Sequence, residues 1–276
     1  MEQKLQGKIA LVTGGIRGLG RSYVLRLARL GADVVVNDID LEGYKEFEEE
    51  GVTQPVMNEV ENLGRRSMGI EADVTNKEEV DAMFERILNE LGKLDILVCN
   101  AGGGLRRPGV SRESPWAGLE DFLYQFNINF ISTLLCCEAA VIPMKNQRSG
   151  KIVTVASQAG LHATIPRTIV SDEAGFKGAY SVAKAAVIQY TRTLAARLGK
   201  HNINVNCIAP AWILSSRAIA WGRNEPQTQK YLESQIALGR LGWPEDCAKV
   251  VEFLVTDLSD YITGQCISVC GGYVLF

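Results

Sequence analysis

Several residue types and patterns are scarce in this chain of 276 residues, and each scarcity excludes a class of protein. It has two histidines, His162 and His201, which lie far apart in the sequence and give little support for a zinc site. Its seven cysteines are odd in number and form no Cys-x-x-Cys pair, so we expect neither a disulfide framework nor a bound metal. No Gly-x-Ser-x-Gly motif marks a serine hydrolase.

Charge of one sign and long apolar runs are also lacking. The formal net charge of −3 makes a nucleic-acid partner improbable. The longest apolar stretch, 130–144, is interrupted by Ser132, Thr133 and Glu138, and we judge it too short and too polar to span a bilayer. The first residues show no apolar signal region. We therefore expect a cytoplasmic protein without nucleic-acid or membrane partners.

What the sequence does contain is an alternation of short β-branched runs with longer amphipathic segments. The strand-like runs are 8–12, 33–37, 66–72, 95–99, 151–155, 204–209 and 266–269. The helical patterns are 18–30, 56–63, 76–91, 120–146, 180–199 and 244–256. This order predicts an α/β fold, a single doubly wound Rossmann-type domain over 1–276 with a seven-stranded, mostly parallel sheet covered by helices on both faces. Two segments, 41–55 and 158–178, exceed this alternation and are expected to be loop insertions.

A glycine cluster follows the first strand and opens a helix. Gly14, Gly18 and Gly20 permit a tight turn whose backbone approaches a pyrophosphate at the helix N-terminus. Asp38 ends the second strand, where a carboxylate accepts both ribose hydroxyls of adenosine and repels a 2′-phosphate, which favours NAD over NADP. Arg17 in the glycine loop argues weakly for NADP. An ordinary strand–helix turn, a helix cap for Asp38 and a solvated Arg17 are the structural alternatives.

Tyr180 and Lys184 begin a helical segment, and their spacing of four places both side chains on one face. A free tyrosine ionises near pH 10, and a nearby cation lowers that pKa. The pair is therefore suited to acid–base chemistry at neutral pH, although a solvent-facing pair has the same spacing.

The ordered combination of motifs resembles the short-chain dehydrogenase/reductase family over nearly the whole chain. It includes the glycine motif from Thr13 to Gly20, Cys-Asn-Ala-Gly at 99–102 and Asp-Val at 73–74. The active-site residues of that family fall on Asn129, Ser157, Tyr180 and Lys184. Departures from the pattern are Cys99 for asparagine, Ala211 for glycine and Cys270 for an acidic residue.

The resemblance implies a role for each residue. Tyr180 would be the general acid or base, Ser157 would hydrogen-bond the substrate oxygen, and Lys184 would hold the nicotinamide ribose and lower the pKa of Tyr180. Asn129 would hold a helix kink and a water. The predicted cofactor contacts are Gly14, Arg17, Gly18, Leu19, Gly20, Asp38, Asp73, Val74, Asn100, Ala101, Gly102, Tyr180, Lys184, Pro210, Ile213 and Ser215.

These residues predict an NAD(H)-dependent oxidoreductase that interconverts a secondary alcohol and a ketone on a cyclic or lipophilic small molecule. Arg106, Arg107 and Arg112 suggest the alternative of a 3-oxoacyl-thioester reductase, unless they belong to a solvated loop. A non-catalytic dinucleotide-binding regulatory module is a further alternative. The resemblance also implies a homo-oligomer, a tetramer or dimer.

For the remaining candidate substrate contacts, a purely structural role is also open. His162 is expected on a surface loop, with a substrate contact as the alternative. Cys136 and Cys137 are expected in the core. A substrate pocket, core packing and a subunit contact are all open for the apolar side chains of one later segment, Trp212, Ile213, Ile219 and Trp221.

Overall fold

The computed structural model describes residues 3–46, 52–105, 107–109, 118–162 and 174–275, with side chains from 178 onward in the last range. Seven parallel strands form one sheet in the order β3-β2-β1-β4-β5-β6-β7. The strands are β1 (Ile9–Thr13), β2 (Asp33–Asp38), β3 (Ser67–Glu71), β4 (Ile96–Cys99), β5 (Gly150–Val155), β6 (Ile203–Pro210) and β7 (Cys266–Val269). The predicted fold class and all seven strands are confirmed.

The helices follow the strands as crossover connections. They are α1 (Gly18–Arg29), α2 (Val56–Asn62), α3 (Lys77–Leu91), α4 (Leu119–Phe126), α5 (Ser132–Gln147), α6 (Ala174–Leu198), α7 (Ser216–Ala220), α8 (Pro226–Ser234) and α9 (Pro244–Val255). Helices α7 and α8 lie in the segment after β6, for which no helix was predicted.

Alternating side chains of the strands build a core on each face of the sheet. Ala10 and Val12 point to the face covered by α1 and α9, whereas Ile9 and Leu11 point to the face covered by α3, α5 and α6. Cys136 and Cys137 are buried in the second core, as predicted. The period of two in β1 thus explains why the sheet is covered on both sides.

One predicted helix differs from the structure in both length and regularity. The segment 120–146 is a continuous helical path from Leu119 to Gln147, but a π-helical turn at Asn127–Ile131 separates α4 from α5. By length and composition alone the full path, unlike the stretch 130–144, is sufficient for a membrane span, a test that the core helix of a soluble protein also passes. Cys136, Cys137 and Met144 bury part of the segment against the sheet, which is the position of a core helix.

The two predicted insertions are partly described. A short 3-10 helix, Gly43–Lys45, occupies the first, and 47–51 lie outside the described residues. In the second, a 3-10 turn at Gln158–Gly160 precedes the undescribed residues 163–173. Helix α6 begins at Ala174 rather than Tyr180, so the last part of the predicted insertion is helical.

Candidate active site

The site lies at the carboxyl ends of the strands, where the strand order reverses between β1 and β4. In open parallel sheets such a reversal leaves a crevice for a ligand. The residues that follow β1 and β4 meet there, since Asn100 donates its side-chain amide to the carbonyl oxygens of Thr13 (3.1 Å) and Gly14 (2.8 Å). Asn100 therefore braces the glycine loop from the neighbouring strand.

The glycine loop is too tightly closed to accept side chains. Gly14 has a φ of +61°, and a Cβ on this residue would lie 2.9 Å from the Cα of Ala101. A Cβ on Gly20 would lie 1.9 Å from the carbonyl oxygen of Gly14. Backbone at the first turn of α1 is thus bare, as the approach of a pyrophosphate requires.

Asp38 and Arg17 both border this crevice. Burial raises the pKa of Asp38, while the backbone N–H groups of Ile39 and Ile16 and the charge of Arg17 act in the opposite direction. The Arg17 guanidinium donates to the carbonyl oxygen of Gly43 (2.7 Å) and forms an ion pair with Glu46. Arg17 is thus neither an ordinary solvated side chain nor an uncompensated positive charge.

Asn129 is fully buried in the π-helical turn between α4 and α5. Its side-chain oxygen accepts from the N–H of Gly103 (2.9 Å), and its amide donates to the carbonyl oxygens of Gly103 (3.1 Å) and Gln125 (2.9 Å). These bonds fasten the irregular turn to the loop after β4. The position agrees with a residue that holds a helix kink.

Ser157, Tyr180 and Lys184 converge from β5 and α6. The Ser157 hydroxyl, beside the Tyr180 phenol, lowers the pKa of that phenol. Lys184 is buried, donates to the carbonyl oxygen of Val155 (2.8 Å), and lies with its Nζ 5.8 Å from the centre of the Tyr180 ring. Spacing along the helix and the end of β5 therefore bring an acid, a hydroxyl donor and an ammonium together.

The electrostatics of this group are dominated by burial. Burial raises the pKa of Tyr180, and Ser157 and the charges of Arg223 and Arg217 lower it. The effect of the Lys184 charge on Tyr180 stays a prediction. Burial lowers the pKa of Lys184 to about 8, because the ammonium is removed from water without a carboxylate beside it.

The segment after β6 packs against the glycine loop and borders the same cleft. Ser215 caps α7 by accepting from the N–H of Ala218 (3.4 Å), and Ser216 follows it. A Cβ on Gly18 would lie 3.4 Å from the Cβ of Ser215, so α7 begins directly over the glycine loop. The buried hydroxyl of Ser216 has no hydrogen-bond partner among the described residues and faces the same cleft.

One cleft of about 440 Å³ joins these parts. Every predicted cofactor contact borders it, together with Ser157, and Asn129 lies buried beneath it. Its bare glycine loop, the Asp38 carboxylate and the unpartnered Ser216 hydroxyl suit a dinucleotide, with the loop at the diphosphate and Asp38 at the ribose. No group of three or more possible metal ligands occurs within the described ranges.

Two arginines of this segment border the cleft and were not among the predicted residues. Arg217 lies 3.4 Å from the carbonyl oxygen of Gly102, and Arg223 lies beside Trp212. Sequence reasoning singled out the apolar side chains of the segment and overlooked the cations between them. The signal was available, because both arginines lie in the same segment as Trp212, Ile213, Ile219 and Trp221, for which a substrate pocket was one of the open alternatives.

The other residues considered as substrate contacts lie in different places. Arg107 forms ion pairs with Asp121 (2.7 Å) and Glu120 (3.0 Å), so its charge is used within the protein. Arg106 and Arg112 lie outside the described residues. His162 is exposed and does not border the cleft, whereas Trp212 and Trp221 line an adjoining cavity. Ile213 is buried at the cleft and Ile219 is exposed.

Comparison with known proteins agrees with this geometry. Residues 14–274 match a family model described as Enoyl-(Acyl carrier protein) reductase. A cyclohexanol dehydrogenase from Rhodococcus sp. (strain TK6) is 44% identical over 274 residues, covering 97% of this chain and 96% of the relative.

Solved structures share the fold over almost the full length. A short-chain type dehydrogenase/reductase from Mycobacterium marinum has a TM-score of 0.82 at 30% identity, covering 99% of this chain and 98% of its own. A 7α-hydroxysteroid dehydrogenase complexed with NADH and 7-oxo glycochenodeoxycholic acid has a TM-score of 0.81 at 30% identity, covering 98% and 96%.

Fold, cleft and relatives together define a dinucleotide-type oxidoreductase that acts on CH–OH groups. The chain belongs to the short-chain dehydrogenase/reductase family.

Proposed function

We propose that this chain uses NAD(H) to interconvert a secondary alcohol and a ketone on a cyclic or lipophilic small molecule. One observation carries the proposal: a single cleft is lined by the glycine loop with Asp38 and by Ser157 and Tyr180. The 44% identity to a cyclohexanol dehydrogenase supports a ring-bearing alcohol as substrate.

NAD is preferred over NADP because of the charges at the adenosine end. Asp38 borders the cleft where the ribose hydroxyls would lie, and its carboxylate repels a 2′-phosphate. Arg17, the cation that would favour NADP, is paired with Glu46 and bonded to Gly43. Its charge is therefore largely compensated.

The proposed chemistry divides between the cofactor and the protein. The bound nicotinamide supplies or accepts the hydride. In ketone reduction, Tyr180 gives its phenolic proton to the carbonyl oxygen, and in alcohol oxidation the phenolate takes the hydroxyl proton. Ser157 donates to the same oxygen as negative charge develops on it. Arg223 and Arg217 favour the phenolate form of Tyr180.

Lys184 has a positioning role in this proposal. Its ammonium is anchored on the carbonyl oxygen of Val155 and borders the cleft beside Tyr180. A buried ammonium with two further donors suits the ribose hydroxyls of the nicotinamide end. Asn129 has a structural role, because its side-chain amide holds the π-helical turn against the loop after β4.

We also propose a cytoplasmic homo-oligomer, a tetramer or dimer, associated through the long helices. Large apolar side chains are exposed on α4, α5 and α6, namely Leu119, Leu123, Ile142 and Val182. A contiguous exposed apolar patch marks a protein–protein contact, and these four side chains are the candidates for one.

The test is a survey of cyclohexanol, linear secondary alcohols and the matching ketones with NAD(H) and NADP(H), followed by nicotinamide absorbance. We expect turnover of the cyclic alcohol with NAD⁺ at a higher kcat/KM than with NADP⁺. Activity confined to 3-oxoacyl thioesters would favour the alternative substrate class. Dinucleotide binding without turnover of any alcohol, ketone or thioester would favour a regulatory module.

A further inference from the structure

A second cavity adjoins the catalytic cleft at the segment after β6. This cavity, of about 440 Å³, shares Ala218, Trp221 and Arg223 with the cleft that contains Tyr180. Its other walls include Trp212 and Tyr231. Arg223 therefore lies where the cleft that contains Tyr180 meets this second cavity, which we call the aromatic chamber.

Arg223 is a partly buried cation with unused hydrogen-bonding capacity. One of its terminal nitrogens donates to the carbonyl oxygen of Ile213, and its Cζ lies 5.2 Å from the centre of the Trp212 ring. Within the described ranges, Arg223 makes no ion pair with a carboxylate. Since a guanidinium carries five N–H donors, most of them remain available at the junction of the cavities.

Two further observations indicate that the guanidinium of Arg223 can bind a hydrogen-bond acceptor from a ligand. Burial lowers the pKa of Arg223, and the Tyr180 phenol acts in the opposite direction. The buried indole N–H of Trp212, against which Arg223 stacks, also has no hydrogen-bond partner in the described part of the chain. The wall thus offers unmet donors at one place.

Arg217 borders the cleft but not the aromatic chamber. It approaches the carbonyl oxygen of Gly102, lies over the Trp221 ring, and interacts electrostatically with Arg17, Asp38 and Tyr180. Of these two arginines, Arg223 is the one that lines both the cleft and the aromatic chamber.

We propose that the substrate is a secondary alcohol or ketone that also carries a carboxylate, and that Arg223 binds this carboxylate while the reacting oxygen meets Ser157 and Tyr180. The inference rests on the proposed function and names its substrate class. A planar guanidinium matches a carboxylate with two parallel hydrogen bonds, and seclusion from water strengthens such a pair.

The experiment compares matched acids and amides. The wild-type enzyme is assayed with NAD⁺ on cyclohexanol, on 2-, 3- and 4-hydroxycyclohexanecarboxylate, and on the three corresponding carboxamides. We expect at least one acid to exceed its amide in kcat/KM by about tenfold to a hundredfold, the range of a charge-assisted hydrogen-bonded pair. Acid-to-amide ratios of one or below for all isomers would overturn the inference.

Variants then locate the effect. Arg223→Met is expected to reduce the acid-to-amide ratio to about one, whereas loss of a purely structural contact would reduce both activities and preserve the ratio. Arg223→Lys, which keeps the charge but loses the planar fork, is expected to give an intermediate ratio. Arg240→Met, at an exposed arginine paired with Asp246, is the matched control and should keep the wild-type ratio.

Different results would refute the carboxylate site and the proposed function. Should cyclohexanol and the amides react without preference for any acid, the carboxylate site is refuted and the proposed function stands. Should no alcohol of either kind react with NAD⁺, the proposed function itself is refuted. An unchanged ratio in both Arg223 variants also refutes the assignment of the carboxylate to Arg223.

Discussion

Replacing Lys184 by methionine is expected to abolish efficient catalysis and to stabilise the protein. The side chain is 3% exposed, and burial lowers its pKa from the ordinary 10.5 to about 8. Each pKa unit corresponds to about 1.4 kcal/mol, so burying the charge costs about 3.5 kcal/mol. Methionine forfeits the hydrogen bond to Val155, worth about 1.5 kcal/mol, which leaves a net gain of about 2 kcal/mol.

The pH dependence of this gain has a definite sign. Below about pH 8 the lysine is charged in both the folded and the unfolded protein, and the full cost of burial applies. Between about pH 8 and pH 10 the folded protein loses the proton first, so the advantage of methionine shrinks.

The assay is denaturant unfolding of the cofactor-free protein at about pH 7 and about pH 10, at equal protein concentration. Lys230→Met, at an exposed position on α8, is the control and should shift stability by less than about 0.5 kcal/mol. The reasoning is refuted if Lys184→Met is no more stable than wild type at pH 7, or if its advantage grows with pH.

Three further substitutions test other parts of the site. Tyr180→Phe should reduce kcat by about a hundredfold to ten-thousandfold, measured by nicotinamide absorbance, while the exposed Tyr261→Phe should not; equal activity of both would exclude Tyr180 as the acid–base. Asp38→Asn should weaken NADH binding about tenfold and NADPH binding less, measured by calorimetry, and an unchanged preference would refute the role of the carboxylate. Gly20→Ala should abolish dinucleotide binding because its Cβ would meet Gly14, whereas Gly199→Ala, with open space around it, should bind normally; normal binding by Gly20→Ala would contradict the close-packed loop.

The strands were predictable because their signal is local. A buried parallel strand requires a run of β-branched residues, and runs such as Val34 to Val36 are too short and too apolar to be confused with an amphipathic helix. The bounds of β7 agree with the prediction, and the other strands differ at one or both ends. Burial of alternate residues on two faces then determines which helices cover each side.

The break between α4 and α5 was not predictable from periodicity. Residues on both sides of Asn129 continue an apolar helical pattern, and the π-helical turn depends on bonds from Asn129 to Gly103, which lies far away in sequence. The family resemblance suggested a kink at this residue. Its cause is tertiary, so no local propensity expresses it.

The two cations of the cleft illustrate a different limit. Arg217 and Arg223 lie on and after a short helix, where arginine is usually solvated, and their burial results from the packing of that segment over the glycine loop and Trp212. Conversely, Arg107 resembled a substrate contact in the sequence but is paired with Asp121 and Glu120. Composition gives the charge, and only the fold determines its partner.

Hydride transfer between a secondary carbinol and NAD⁺ under control of Tyr180 is the central claim, and isotope transfer tests it most directly. The enzyme is incubated with NAD⁺ and cyclohexanol deuterated at the carbinol carbon, and the reduced dinucleotide is analysed by mass spectrometry. The account predicts stoichiometric deuterium in NADH and cyclohexanone as product, with formation of both strongly reduced in Tyr180→Phe. Deuterium released to solvent, or undiminished transfer by Tyr180→Phe, would contradict it.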